Sequence, residues 1–258
     1  MFYHIVPDFQ KGRVLKREML ENLRDYPRNM TEIYFQDYSD GIIAGAQIVV
    51  EETNLVITKG IVKHNGRVYM LDADYLLPYH AVGRETLVKI RFHEEQQSSD
   101  FIAYSTDVLL DDVLQVAENE LELGRFKLKP GARLRSVYED FQDFATEYNT
   151  VNTIYCQYAG FQTTTFHPLI LQYFAKELLS SMPSNAYDIS FALQCLNQDR
   201  IQREVIYYYL ANRLGKGYRE YTNEQIHHYL SRVLQEGKGW NRSTSEQSSR
   251  RPRQMIVE

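Results

Sequence analysis

Between Asp40 and Leu77 turn residues interrupt the chain every few positions, which rules out a helix there and leaves room only for short strands. Residues 46–52, 55–58, 61–63 and 67–71 read as four β-type runs, parted by Thr53-Asn54, Lys59-Gly60 and His64-Asn65-Gly66. The last break is an Asn-Gly pair, and both residues tolerate the positive φ of a type I′ turn, so its flanking runs should close a tight hairpin. The stretch as a whole reads as a small up-and-down β-unit. It contains one histidine, His64, no cysteine, and no serine or aspartate placed beside a base.

Ahead of this unit, Val14, Leu15, Met19, Leu20 and Leu23 fall on one helical face with charged residues opposite. Pro27 is expected to end that helix or open the next, and a second to run over residues 28–38, with Met30, Ile33, Tyr34 and Tyr38 as its buried stripe. Behind the unit, Asp72-Ala73-Asp74 and Pro78 predict a loop, residues 85–92 a strand, 93–100 a hairpin loop and 101–110 another strand. Residues 120–129 alternate most clearly, and the alternation slips at Gly124-Arg125, which predicts a bulge. After Pro130-Gly131 the period changes to that of helices: residues 136–148, then 166–181 with Pro168 in the first turn. Asn185 with Asp188, Asp199 with Gln202, and Thr222 with Gln225 each open a further helix in the manner of a capping box. The fold class is therefore α+β. The expected domains are a helical lead-in over 1–38, a β-rich domain over 39–132, an α-helical domain over 133–236 and a flexible tail over 237–258.

Chemistry is hard to place on this chain. A net charge of -5 gives no reason to bind nucleic acid, and the basic group Arg250, Arg251 and Arg253 is too short to change that. Cys156 and Cys195 sit among apolar residues and read as buried free thiols of a reducing compartment. No apolar run approaches the ~20 residues of a membrane span, and residues 1–7 lack a signal pattern, so the expected localisation is cytoplasmic. None of the seven histidines pairs at metal-ligand spacing, and adjacent His227 and His228 point to different faces of a helix. Asp72 and Asp74, and Asp107, Asp111 and Asp112, could supply acid/base pairs or calcium ligands, but aspartate at loop edges serves turns first. Gly41, Gly45 and Gly60 are spread over strands and form no phosphate cradle. Thr163-Thr164-Thr165 has no local base to activate a hydroxyl. The expectation is a non-enzyme with no cofactor and no metal.

Tyrosine is the compositional outlier, at 20 residues, and suits either a protein interface or a tyrosine-rich core. Three consecutive tyrosines on one helix, Tyr207, Tyr208 and Tyr209, must leave at least one ring facing outward. They are interface candidates together with Trp240 and the terminal apolar run Met255, Ile256 and Val257.

The glycines and apolar alternation of Ser39-Asp40-Gly41-Ile42-Ile43-Ala44-Gly45, followed by residues 55–69, resemble a module of phage tail-fibre and baseplate proteins. That family includes the contractile injection systems of bacteria. The resemblance implies a compact β-unit that presents sheet edges and flat faces to neighbouring subunits. Fibre proteins continue into repetitive shaft sequence, whereas this chain continues into helices, which points to a baseplate or fibre-attachment adaptor. The expected function is structural: a component of a phage-tail-like particle, partnered by other subunits in a homo- or hetero-oligomer and assembling into a virion or tail-like particle. The alternative is a carbohydrate- or receptor-binding module on the aromatic faces of the β-half, and a hydrolase built on Asp107, Asp111 and Asp112 is a third reading.

Overall fold

A computed structural model of the chain describes the backbone of residues 1–248 and the side chains of residues 1–237. It has an α+β fold, with one leading helix, a β-rich half and a set of helices. The leading helix α1 (Arg17–Phe35) is continuous, with Pro27 inside it, where two helices were expected. Proline removes the donor that would meet the Leu23 carbonyl, a loss better borne at an exposed residue such as Leu23 than in a core. Ion pairs Arg17–Glu21 and Arg28–Glu32 brace the turns on either side.

The β-unit is up-and-down, but built from three long arms, each bent once, in place of four short runs. The first arm holds β1 (Gly41–Gly45) and β2 (Ile48–Val50), the second β3 (Asn54–Ile57) and β4 (Gly60–His64), the third β5 (Arg67–Leu71) and β6 (Tyr75–Pro78). Neighbouring arms pair antiparallel and split at the bends into two sheets, ordered β1-β4-β5 and β2-β3-β6. Lys59-Gly60, read from sequence as a turn, is the corner of the second arm. There Gly45 and Gly60 face each other, and a Cβ on Gly60 would stand 2.3 Å from the Ala46 nitrogen. The Asn65-Gly66 hairpin forms as expected, with φ of 48° and 74°. β6 occupies part of the expected loop at residues 72–78, and Asp74 accepts the Lys59 N–H at 2.8 Å, which is a turn-making role.

A further sheet has the order β10-β7-β11, from β7 (Glu85–Phe92), β10 (Thr106–Asp111) and β11 (Glu120–Lys127). Its bulge falls between Glu122 and Gly124, where the glycine predicts one. The expected 101–110 strand is broken: β9 (Ile102–Ala103) pairs with β8 (Gln96–Gln97) inside the tract read as a loop. Ile42, Leu55, Ile57, Val88, Leu123 and Phe126 lie in the shared core of these sheets.

Residues 136–148 are not the expected helix; only a 3-10 turn, Gln142–Ala145, forms. Local side chains take the backbone donors a helix would use: Asp143 accepts the Glu139 N–H and Asp140 accepts the Asp143 N–H. Arg135 pairs with Asp143, and Phe141 and Phe144 enter the second core.

That core is closed by α2 (Pro168–Ser180), α3 (Ala186–Asn197), α4 (Arg203–Arg213) and α5 (Asn223–Ser248). Two starts match their signals: Asn185 caps α3 through the Tyr187 N–H, and Thr222 and Gln225 make a reciprocal capping box on α5. Two differ. α4 begins four residues after Asp199, because the hydroxyl of Thr165 binds the Ile201 carbonyl and holds that segment extended. Asp188 does not reach back toward its cap but turns inward, accepting from the Tyr209 hydroxyl at 2.9 Å and from Arg213 at 3.1 Å. Between the halves, residues 133–167 feed both cores, Val151 and Cys156 the first, Ile154 and Phe166 the second.

Candidate assembly surfaces

α1 contains no buried residue. Its apolar side chains, expected to be a buried stripe, are open: Leu23 is 57%, Met30 65% and Ile33 66% exposed. The reason is tertiary. The helix meets the rest of the molecule mainly at its C-terminal end, where Lys63 on β4 donates to the carbonyls of Phe35, Gln36 and Tyr38 at 2.7, 3.1 and 2.6 Å. A helix C-terminus leaves carbonyls without intrahelical donors and carries partial negative charge, so a buried ammonium satisfies both needs at once. Sequence reading missed Lys63. The one available hint is that Phe35-Gln36-Asp37-Tyr38 has no glycine to close the helix.

A second exposed face lies on α3 and α4. Tyr207 and Tyr209 point inward; the Tyr207 hydroxyl donates to the Tyr221 carbonyl at 3.0 Å, and the Tyr209 ring stacks on Phe191 at 4.0 Å. Tyr208 points outward, 62% exposed, with the Tyr218 ring 4.8 Å away. It sits beside a groove of about 750 Å³ lined by Tyr187, Tyr208 and Tyr218. Of the interface candidates, Tyr208 is the one of the three consecutive tyrosines with an exposed ring. Trp240, Met255, Ile256 and Val257 lie outside the residues whose side chains are described.

The titratable groups serve the fold. Asp107, Asp111 and Asp112 each have a different side-chain partner: His93 at 2.8 Å, Lys89 at 2.8 Å and Arg84 at 3.1 Å. Lys89 is buried in the central strand of its sheet. Burial disfavours its ammonium, yet hydrogen bonds to Asp111 and Glu120 outweigh that and raise its pKa. His167 caps α2 by accepting the Leu169 N–H at 3.1 Å, and burial pushes its pKa down to about 3, so it is neutral. Cys156 and Cys195 are free and buried, with burial raising both thiols, Cys195 to about 12. The Thr165 hydroxyl is taken by the Ile201 carbonyl, and no base faces it. Among the described residues no three His, Cys, Asp or Glu side chains gather as a metal-holding group, and no helix is long and apolar enough to cross a membrane.

No protein-family profile matches the chain, and no curated protein matches it by sequence. In fold, the chain is similar to TssK. A crystal structure of TssK aligns over 90% of this chain and 72% of its own, at 11% identity and a TM-score of 0.41. A chain of the type VI secretion system TssK-TssF-TssG baseplate subcomplex, seen by cryo-electron microscopy, aligns over 91% of this chain and 99% of its own, at 10% identity and a TM-score of 0.39. The second neighbour is part of a baseplate subcomplex.

Proposed function

We propose that this chain is a non-enzymatic structural subunit of a phage-tail-like contractile particle, acting as a baseplate or fibre-attachment adaptor. The observation that carries the reading is α1: 19 residues with none buried, held at one end by Lys63 and presenting an apolar face to solvent. Large unpartnered apolar faces are uncommon on proteins that act alone and mark surfaces made to be covered. The β-unit at residues 39–69, with its turn glycines and sheet edges, is the part that resembles attachment modules of such particles. Tyr208 offers a second contact, an aromatic ring at an exposed groove, of the kind enriched in interfaces. The pairing of Asp107, Asp111 and Asp112 with three separate side chains supports a role without catalysis by that group.

The test is recovery of the tagged full chain from its host lysate at low salt, followed by sedimentation and negative-stain microscopy. Co-recovery with sheath-and-tube particles is the expected result. Recovery solely as a small free species overturns the reading, and glycan binding by that free species would put the carbohydrate-binding alternative in its place.

A further inference from the structure

The apolar side chains of α1 are not scattered. Met19, Leu23, Tyr26, Met30 and Ile33 follow one another at spacings of four, three, four and three, which are the a and d positions of a heptad frame. In that frame Leu20, Pro27 and Tyr34 occupy e, and Asn22, Asn29 and Gln36 occupy g. Every Arg, Asp and Glu of the helix lies at b, c or f, where pairs such as Arg17–Glu21 and Arg28–Glu32 satisfy them within the helix itself. The seam and both its flanks are therefore uncharged.

This pattern bears on what covers the helix. Coiled-coil helices that choose a different partner do so with charges at e and g, which repel the wrong helix and attract the right one. Here those positions hold no charge to be answered, and a copy of the same helix meets no like-charge repulsion. Pro27 lies at e, on the flank, so the seam itself runs uninterrupted through Met19, Leu23, Tyr26, Met30 and Ile33. The chain's own N-terminal segment runs beside α1, with His4 Nδ1 3.0 Å from the Tyr26 hydroxyl, yet it leaves Leu23, Met30 and Ile33 open.

We infer that α1 is a self-association element, whose uncharged heptad face packs against the same face of α1 in a second copy of this chain. The inference uses the same face of α1 that carries the baseplate reading but is tested separately: failed recovery of a particle leaves it untouched, and a monomeric chain leaves that face free for other subunits.

The experiment is light scattering on the purified full chain from about 1 to about 100 µM, the range in which mass action separates weak from stable association. The expected mass at the upper end is a multiple of 30.4 kDa. The Leu23→Glu/Ile33→Glu double variant, altered at two exposed positions, is expected at 30.4 kDa throughout with unchanged circular dichroism, and Tyr208→Glu is expected to keep the wild-type mass. A second readout guards against misfolding. Leu23→Cys, alone and mixed with Ile33→Cys, should form interchain disulfides under mild oxidation, since Cys156 and Cys195 are buried and do not compete, whereas Arg17→Cys on the outer face should not. A wild-type chain at 30.4 kDa at every concentration, or a multimer that survives the double variant, overturns the inference, as does equal crosslinking from Arg17→Cys.

Discussion

Replacing Lys63 with methionine keeps an apolar stem, one atom shorter, and removes the three donors. In the native protein these reach the carbonyls of Phe35, Gln36 and Tyr38 at 2.7, 3.1 and 2.6 Å. Gln36 is exposed, so water can replace the ammonium at its carbonyl, while Phe35 and Tyr38 are half-buried and their carbonyls are less easily rehydrated. Leaving two such acceptors unsatisfied costs about 1–3 kcal/mol each, less the burial of the lysine that is no longer required, for a net of about 2–4 kcal/mol. That penalty falls on one place. Because α1 has no buried residue of its own, losing the anchor should release the helix while the two cores stay folded. At 1.4 kcal/mol per tenfold, the open population rises by roughly 30-fold to 700-fold. Limited proteolysis under conditions where cleavage is slow relative to reclosing reads that population directly. Cleavage within residues 28–38 should accelerate by a factor in this range, with the far-ultraviolet spectrum of the remainder retained. A change of less than about threefold would show that Lys63 does not anchor the helix, and would refute the account of α1 as an arm hung from the β-unit.

Three further outcomes follow from the geometry. His167 is neutral when folded, with a pKa near 3 against 6.5 when unfolded, so the unfolded state binds more protons and stability falls as pH drops through that window, by about 1.4 kcal/mol per unit. His167→Asn, which keeps a capping side chain, should flatten the slope of urea-unfolding free energy between pH 6 and pH 4 by about that amount, and an unchanged slope counts against it. Gly60→Ala places a Cβ 2.3 Å from one backbone atom and 2.6 Å from another, and should lower stability by about 3 kcal/mol or more; Gly66→Ala meets open space and should cost about 1 kcal/mol from its φ of +74° alone. Equal urea midpoint shifts for the two would mean the corner is looser than drawn. Tyr209→Phe removes a donor to Asp188 and should cost about 1–2 kcal/mol, while Tyr208→Phe should stay within about 0.5 kcal/mol, both by urea unfolding.

The parts of this fold legible in the sequence are those decided by residues within a turn or two of one another. Asn65-Gly66 closes its hairpin, Gly124 makes its bulge, Asn185 and Thr222 start their helices, and three consecutive tyrosines put one ring outside. In each case the competing conformations differ in the strain or hydrogen bonding of a few adjacent residues, so the residue types suffice. Tertiary structure decided the remainder. Thr58-Lys59-Gly60 became a corner because Gly45 and Gly60 pack backbone against backbone across two arms. Asp188, placed as half of a capping box, was drawn inward by Tyr209 and Arg213, 21 and 25 residues away. Residues 136–148 gave up a helix as their aromatic rings entered a core assembled from four later helices. The stripe on α1 was readable, but its exposure was not, since that depends on Lys63 gripping one end of the helix from 28 residues away while, among the described residues, the N-terminal segment alongside leaves Leu23, Met30 and Ile33 open. Periodicity shows that a helix has an apolar face; which surface covers that face is set by groups distant in sequence, or in another molecule.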